Sequence, residues 1–105
     1  MFIFNISFVI PATRKQSFLK WAEEDGRKAA ESSLLRDYHV LAIVGIPGDK
    51  DFAKSPDRNL SLQMRFDTLA DCRKWHETNF DSLLISYAAW HGKEPLFFAT
   101  ILKES

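Results

Sequence analysis

Five polar side chains, Asn5, Ser7, His39, Gln63 and Arg65, carry the chemistry that this sequence can be expected to do. A guanidinium such as Arg65 grips a carboxylate through two parallel N–H bonds and keeps its charge at any working pH. An imidazole such as His39 takes a proton near neutrality and can serve as a general base. The amides of Asn5 and Gln63 can orient a carbonyl, and Ser7 adds a hydroxyl. Together they suit a small ligand bearing a carbonyl or an acidic group.

Cys72 and His76 stand four residues apart, the spacing that puts two side chains on one helix face. A thiolate–imidazole pair or two metal ligands would use that spacing. A metal needs three or four protein ligands, and neither His39 nor His91 has supporting spacing. No Cys-x-x-Cys or His-Glu-x-x-His occurs, so no metal and no cofactor is expected. Cys72 sits on an apolar helical stripe, which suits a buried, inert thiol. His76 on the same stripe is expected to be partly buried beside a polar neighbour, and Trp75 to serve packing or an interface.

The elements that must position these groups follow from hydrophobic period. Residues 2–10 alternate, with Phe2, Phe4, Ile6, Phe8 and Ile10 in one apolar row and Ile3, Asn5, Ser7 and Val9 in the other. Pro11 ends that strand. Residues 18–30 have helical period, with Phe18, Trp21, Ala22 and Ala29 on one stripe, Thr13 or Ser17 as the cap, and Gly26 inside the pattern. Strands follow over 35–46 and 59–66, separated by a charged loop at 48–58 that opens with Pro47-Gly48. A second helix over 68–90 is expected to kink or break at 79–82, with Gly92 as its stop. Pro95 opens a last strand over 96–103, apolar in both rows.

The order is β-α-β-β-α-β, the split βαβ arrangement of a ferredoxin-like α+β sandwich: a four-stranded antiparallel sheet with two helices on one face. The expected core is Phe4, Ile6, Phe8, Trp21, Val40, Leu62, Met64, Phe80, Leu84 and Phe98.

The chain's 105 residues fit one domain, 1–105, able to bury a core without disulfides. Fourteen basic residues balance fourteen acidic ones, so nothing in the charge favours nucleic acid or a membrane surface. The third strand, RNLSLQMRF, also lacks the Gly-rich aromatic signature of an RNA recognition motif. The loop after the first strand lacks the glycines of the acylphosphatase phosphate cradle. No apolar run approaches the roughly 20 residues that span a bilayer. The apolar N-terminus lacks the basic start and small-residue cleavage site of a leader and reads as a buried strand. The single cysteine fits a cytoplasmic setting.

With the first and third strands central, the helix-free sheet face has a polar middle of Asn5, Ser7, Ser61, Gln63 and Arg65. Its flanks are apolar: Leu41, Ile43, Phe97 and Ile101. Such a patch marks an interaction surface. Two copies closing face to face would bury the flanks and enclose the middle, giving a homodimeric α+β barrel.

The length, the element order and the ending HGKEPLFFATIL make the chain resemble the bacterial domain-of-unknown-function 4286 family. That resemblance implies a ferredoxin-like fold and supplies no catalytic residues. The wider dimeric barrel group holds oxygenases, isomerase-like enzymes and ligand-binding regulators, and fold alone does not choose among them. Three readings stay open: a small ligand-binding or structural module with a polar pocket on the open face, a cofactor-independent oxygenase or isomerase using His39 and Arg65, and a protein-interaction domain.

Overall fold

The alternating N-terminal stretch forms strand β1, Phe2–Pro11, in a computed structural model that describes residues 1–92 and 96–104. Strands β2 (Asp37–Ala42), β3 (Asp57–Phe66) and β4 (Phe97–Lys103) complete one sheet in the order β2-β3-β1-β4, every neighbouring pair antiparallel. The fold is the expected ferredoxin-like α+β sandwich, with β1 and β3 central. Strand β3 begins two residues inside the expected loop, so Asp57 and Arg58 belong to the sheet. Strand β2 stops at Ala42, though the Ile43 N–H still donates to the Asn59 carbonyl at 3.1 Å.

The even row of β1 (Phe4, Ile6, Phe8, Ile10) and the matching row of β3 (Leu60, Leu62, Met64, Phe66) are buried against the helices. Val40 and Phe80 pack at the core's margin, and Leu84 is only half-buried; Leu83 and Tyr87 take the innermost positions of their helix.

The first helix, α1, is composite. A 3-10 turn (Ala12–Arg14) leads directly from Pro11 into α-helix (Lys15–Trp21), a π segment (Ala22–Gly26) and α-helix again (Arg27–Ala30). Neither Thr13 nor Ser17 caps it; Ser17 instead accepts a bond from Trp90 Nε1 at 2.8 Å. The π turn has a visible cause. The Ala22 carbonyl accepts the Arg27 N–H and also the hydroxyl of Tyr38, 2.8 Å away on β2. A β-carbon on Gly26 would lie 3.1 Å from that hydroxyl and 3.3 Å from the Trp21 ring. Tyr38 cannot yield without losing its bond to Ala22. Gly26→Ala, normally stabilising in a helix by about 1 kcal/mol, is therefore expected to destabilise by about 1 kcal/mol through overpacking. A urea midpoint above wild type would refute this.

The second helix, α2, runs unbroken over Leu69–His91. Thr68 caps it by accepting the Asp71 N–H at 3.1 Å, and Gly92 closes it at φ +78°, a conformation open to glycine. The expected kink at 79–82 is absent, and Asn79 is engaged across the helix pair. Asn79 Nδ2 donates to the Ala29 and Glu31 carbonyls, and Trp75 Nε1 to Ala30. These bonds satisfy the last carbonyls of α1 from outside. Arg14 does the same for α2, donating to the Trp90 and His91 carbonyls with its guanidinium 4.3 Å from the Trp90 ring. Among the described residues no helix is long and apolar enough to cross a membrane. Pro95 lies outside them.

Candidate functional site

Register turns the helix-free face into four rows of four. In the second row His39 stands beside Gln63, Gln63 beside Asn5, and Asn5 beside Thr100. In the third, Leu41, Ser61, Ser7 and Phe98 are neighbours; in the first, Asp37, Arg65, Ile3 and Leu102. The fourth row continues past the ladder ends with Ile43 bonded to Asn59, and Val9 bonded to Leu96.

The middle of this grid bonds to itself. Gln63 Nε2 donates to Asn5 Oδ1 at 3.1 Å, Asn5 Nδ2 donates to Ser7 Oγ at 3.3 Å, and the Ser7 and Ser61 hydroxyls share a bond at 3.2 Å. These groups are half-buried. Asn5, Ser7 and Gln63 are thus brought together as the sequence implied.

The two charged members carry partners that the sequence reading missed. Arg65 is held by both carboxylate oxygens of Glu104, just past the end of β4. His39 Nε2 lies 2.8 Å from Asp37 Oδ2. The signal for Asp37 was available: a residue two before His39 on a strand shares its face.

The Asp37 carboxyl is held below its ordinary value of 3.8, first by the hydrogen bond from His39, with desolvation opposing and the charge of His39, the Tyr38 N–H and the charge of Arg65 assisting. A depressed folded-state pKa means that the pair's stabilisation is present above the unfolded value and is lost as pH falls through the folded one. Carbon-13 NMR should place the Asp37 midpoint below 3.8, and His39→Ala should raise it. An unmoved midpoint in that variant would show that the pair does not form in solution.

Two flank residues lie on the opposite face from the one expected. Phe97 stands opposite Phe8 and Ile101 opposite Phe4, both on the helix side; the Phe97 ring meets that of Phe80 at 5.8 Å. Phe98, expected in the core, faces open and is 67% exposed. Both rows of β4 are apolar, so the pattern did not fix which row points in, and a one-residue change of parity exchanges the faces. The exposed apolar rim is therefore Leu41 (46%), Ile43 (43%), Phe98 and Leu102 (44%), with Val9 and Leu96 at one end.

Cys72 and His76 do not form a site. Cys72 is fully buried, and burial pushes its thiol up, with Arg73 pulling weakly the other way. His76 is exposed, not partly buried, with its ring 5.4 Å from that of Phe4. Among the described residues no three His, Cys, Asp or Glu side chains converge on one point. Trp75 is packing, fully buried. A surface hollow of about 410 Å³ lies away from the grid, beside α1, between Arg27, Lys28, Glu31 and Tyr38.

No protein-family model and no curated protein sequence matches the chain. Solved structures do match over its whole length. An ethyl tert-butyl ether D (EthD) family protein from Bacillus halodurans superposes with a TM-score of 0.70 at 21% identity, covering 100% of both chains. A putative antibiotic biosynthesis monooxygenase from Nitrosomonas europaea gives 0.64 at 9% identity, covering 99% of this chain and 98% of its own. A protein from Agrobacterium tumefaciens gives 0.64 at 17%, covering 100% and 94%. At these identities the likeness establishes the fold, which is the part of the 4286-family resemblance that stands.

Proposed function

We propose that this chain is a small-molecule-binding module that works as a two-fold dimer closed through its helix-free face, with the Asn5–Gln63–Ser7–Ser61 band binding a small uncharged carbonyl compound. One observation carries the reading: a half-buried, self-bonded polar band is ringed by exposed Leu41, Ile43, Phe98 and Leu102. An apolar rim of that kind is stabilised by burial, at about 25 cal/mol per Å² removed from water. A second copy supplies a matching rim by symmetry. The charges on the face do not oppose this, because Arg65 is paired with Glu104 and His39 with Asp37.

The same pairing alters the ligand class. Arg65 already has a carboxylate, so an acidic ligand would have to displace Glu104. A neutral carbonyl meets no such competitor. Asn5 and Gln63 each spend one amide hydrogen on the band and keep the other for a ligand oxygen. Two structural neighbours, the EthD family protein and the putative antibiotic biosynthesis monooxygenase, support small-molecule chemistry on this fold. A cofactor-independent oxygenase or isomerase is the second reading, favoured by the Asp37–His39 pair. The resemblance to the 4286 family is compatible with both readings and chooses neither.

NMR titration with cyclohexanone tests the proposal. Saturable shifts are expected at the Asn5 and Gln63 side-chain amides, and Gln63→Leu should weaken binding about tenfold, the worth of one hydrogen bond. Shifts confined to the hollow beside α1, or identical binding by the variant, would contradict it.

A further inference from the structure

We infer that Asp37 and His39 form a proton-transfer dyad that enolises the carbonyl compound held by Gln63, making the open face the site of a cofactor-free isomerisation; this rests on the carbonyl-binding reading above. Three placements support it. Asp37 and His39 share the open face of β2 with Nε2 and Oδ2 2.8 Å apart. His39 and Gln63 are direct cross-strand partners, which sets their side chains about 5 Å apart and parallel. Gln63 is itself fixed by its bond to Asn5. A ketone oxygen on the free Gln63 N–H therefore has its α-carbon within reach of the imidazole.

The hydrogen-bond network assigns the roles. Asp37 is a carboxylate and accepts only, so His39 Nε2 carries the hydrogen between them and Nδ1 holds the lone pair. Nδ1 takes a proton from the α-carbon. The C–H electron pair becomes the new C=C bond, and the carbonyl π pair moves to oxygen, where the Gln63 N–H meets it. The imidazolium, stabilised by the Asp37 carboxylate, returns its proton to carbon. Return to the same carbon regenerates the ketone; return to the γ-carbon of an unsaturated ketone shifts the double bond. No oxidant, reductant or co-reactant enters. The other charged groups facing this pair are Arg65, opposite Asp37 in register, and Glu104, which holds Arg65. Arg65, itself paired with Glu104, helps His39 keep Asp37 ionised. The helices pack on the far face and contribute none.

The test is uptake of deuterium from D2O into the α-positions of cyclohexanone, followed by proton NMR with the full-length wild-type chain. Wild type is expected to exceed buffer. Positioned acid–base groups contribute about 100-fold or more, so His39→Ala should lose about that factor. Asp37→Asn should lose at least tenfold and change the pH profile, while His76→Ala, an exposed histidine on the helix side, should match wild type. Exchange no faster than buffer, or unchanged in His39→Ala, overturns the dyad whether or not the ketone binds. Amide shifts at Asn5 and Gln63 without exchange would sink the dyad and leave the carbonyl-binding reading standing; absence of both would sink the two together.

Discussion

Replacing Leu41 and Phe98 together with aspartate is expected to convert the proposed dimer into a folded monomer. The two residues are neighbours of the Ser61–Ser7 pair in one row, at opposite edges of the sheet. Two-fold symmetry repeats each change, so four large apolar side chains leave the interface and four carboxylates enter it. Burying a Leu or Phe side chain contributes about 1.5–3 kcal/mol, and an unpaired charge in its place costs several more. Even a small part of that sum weakens association at least 10⁴-fold, at about 1.4 kcal/mol per factor of ten. Sedimentation equilibrium reads the change, and circular dichroism should show an intact fold, because neither side chain belongs to the core. Ile85→Asp on the outer surface of α2, where Ile85 is 69% exposed, should leave the assembly as it was. A Leu41→Asp/Phe98→Asp chain that sediments like wild type would contradict the interface.

Phe8→Ala should destabilise the fold by about 3–5 kcal/mol, a large share of the roughly 5–15 kcal/mol that holds a domain of this size. Phe8 is fully buried on a central strand. Its ring stacks on Tyr87 at 4.6 Å and meets Phe18 at 5.5 Å and Trp21 at 6.3 Å, so one side chain joins β1 to both helices. Truncation removes these aromatic pairings and leaves a cavity among rings that cannot collapse freely. A urea curve with unchanged slope and a displaced midpoint is the expected observation. A loss below about 1 kcal/mol would show that this cluster does not carry the core.

The contrast between β3 and β4 explains what could be read in advance. In β3 each buried Leu60, Leu62, Met64 and Phe66 alternates with Ser61, Gln63 and Arg65. Only one parity keeps the polar residues out of the core, and the structure adopts it. In β4 both rows are apolar, so Phe97 and Phe98 exchanged faces relative to the pattern. The β1 register, not the composition, decides which points inward. The helix break expected at 79–82 failed for a related reason. Asn79 reads as a helix-weakening residue in sequence, but in space its amide reaches the end of α1.

At the candidate site, Asn5, Ser7 and Gln63 were legible because alternation alone fixes their face. The partners of the charged groups were not equally legible. Asp37 is reachable by the period-two rule from His39. Glu104 meets Arg65 only after β4 has paired with β1, since nothing in the chain ties residue 65 to residue 104 before the sheet forms. Yet Glu104 changes the reading most, because it turns a free guanidinium into an occupied one and moves the expected ligand from acidic to neutral.

The closing of two helix-free faces is most directly tested by isotope-filtered NOE spectroscopy on a mixture of labelled and unlabelled chains. This experiment detects only contacts between copies. Intermolecular signals are predicted from the methyls of Leu41, Ile43 and Leu102 and from the Phe98 ring. A spectrum without intermolecular signals, or one in which they come from Ile85, Phe97 and Ile101, would contradict the account.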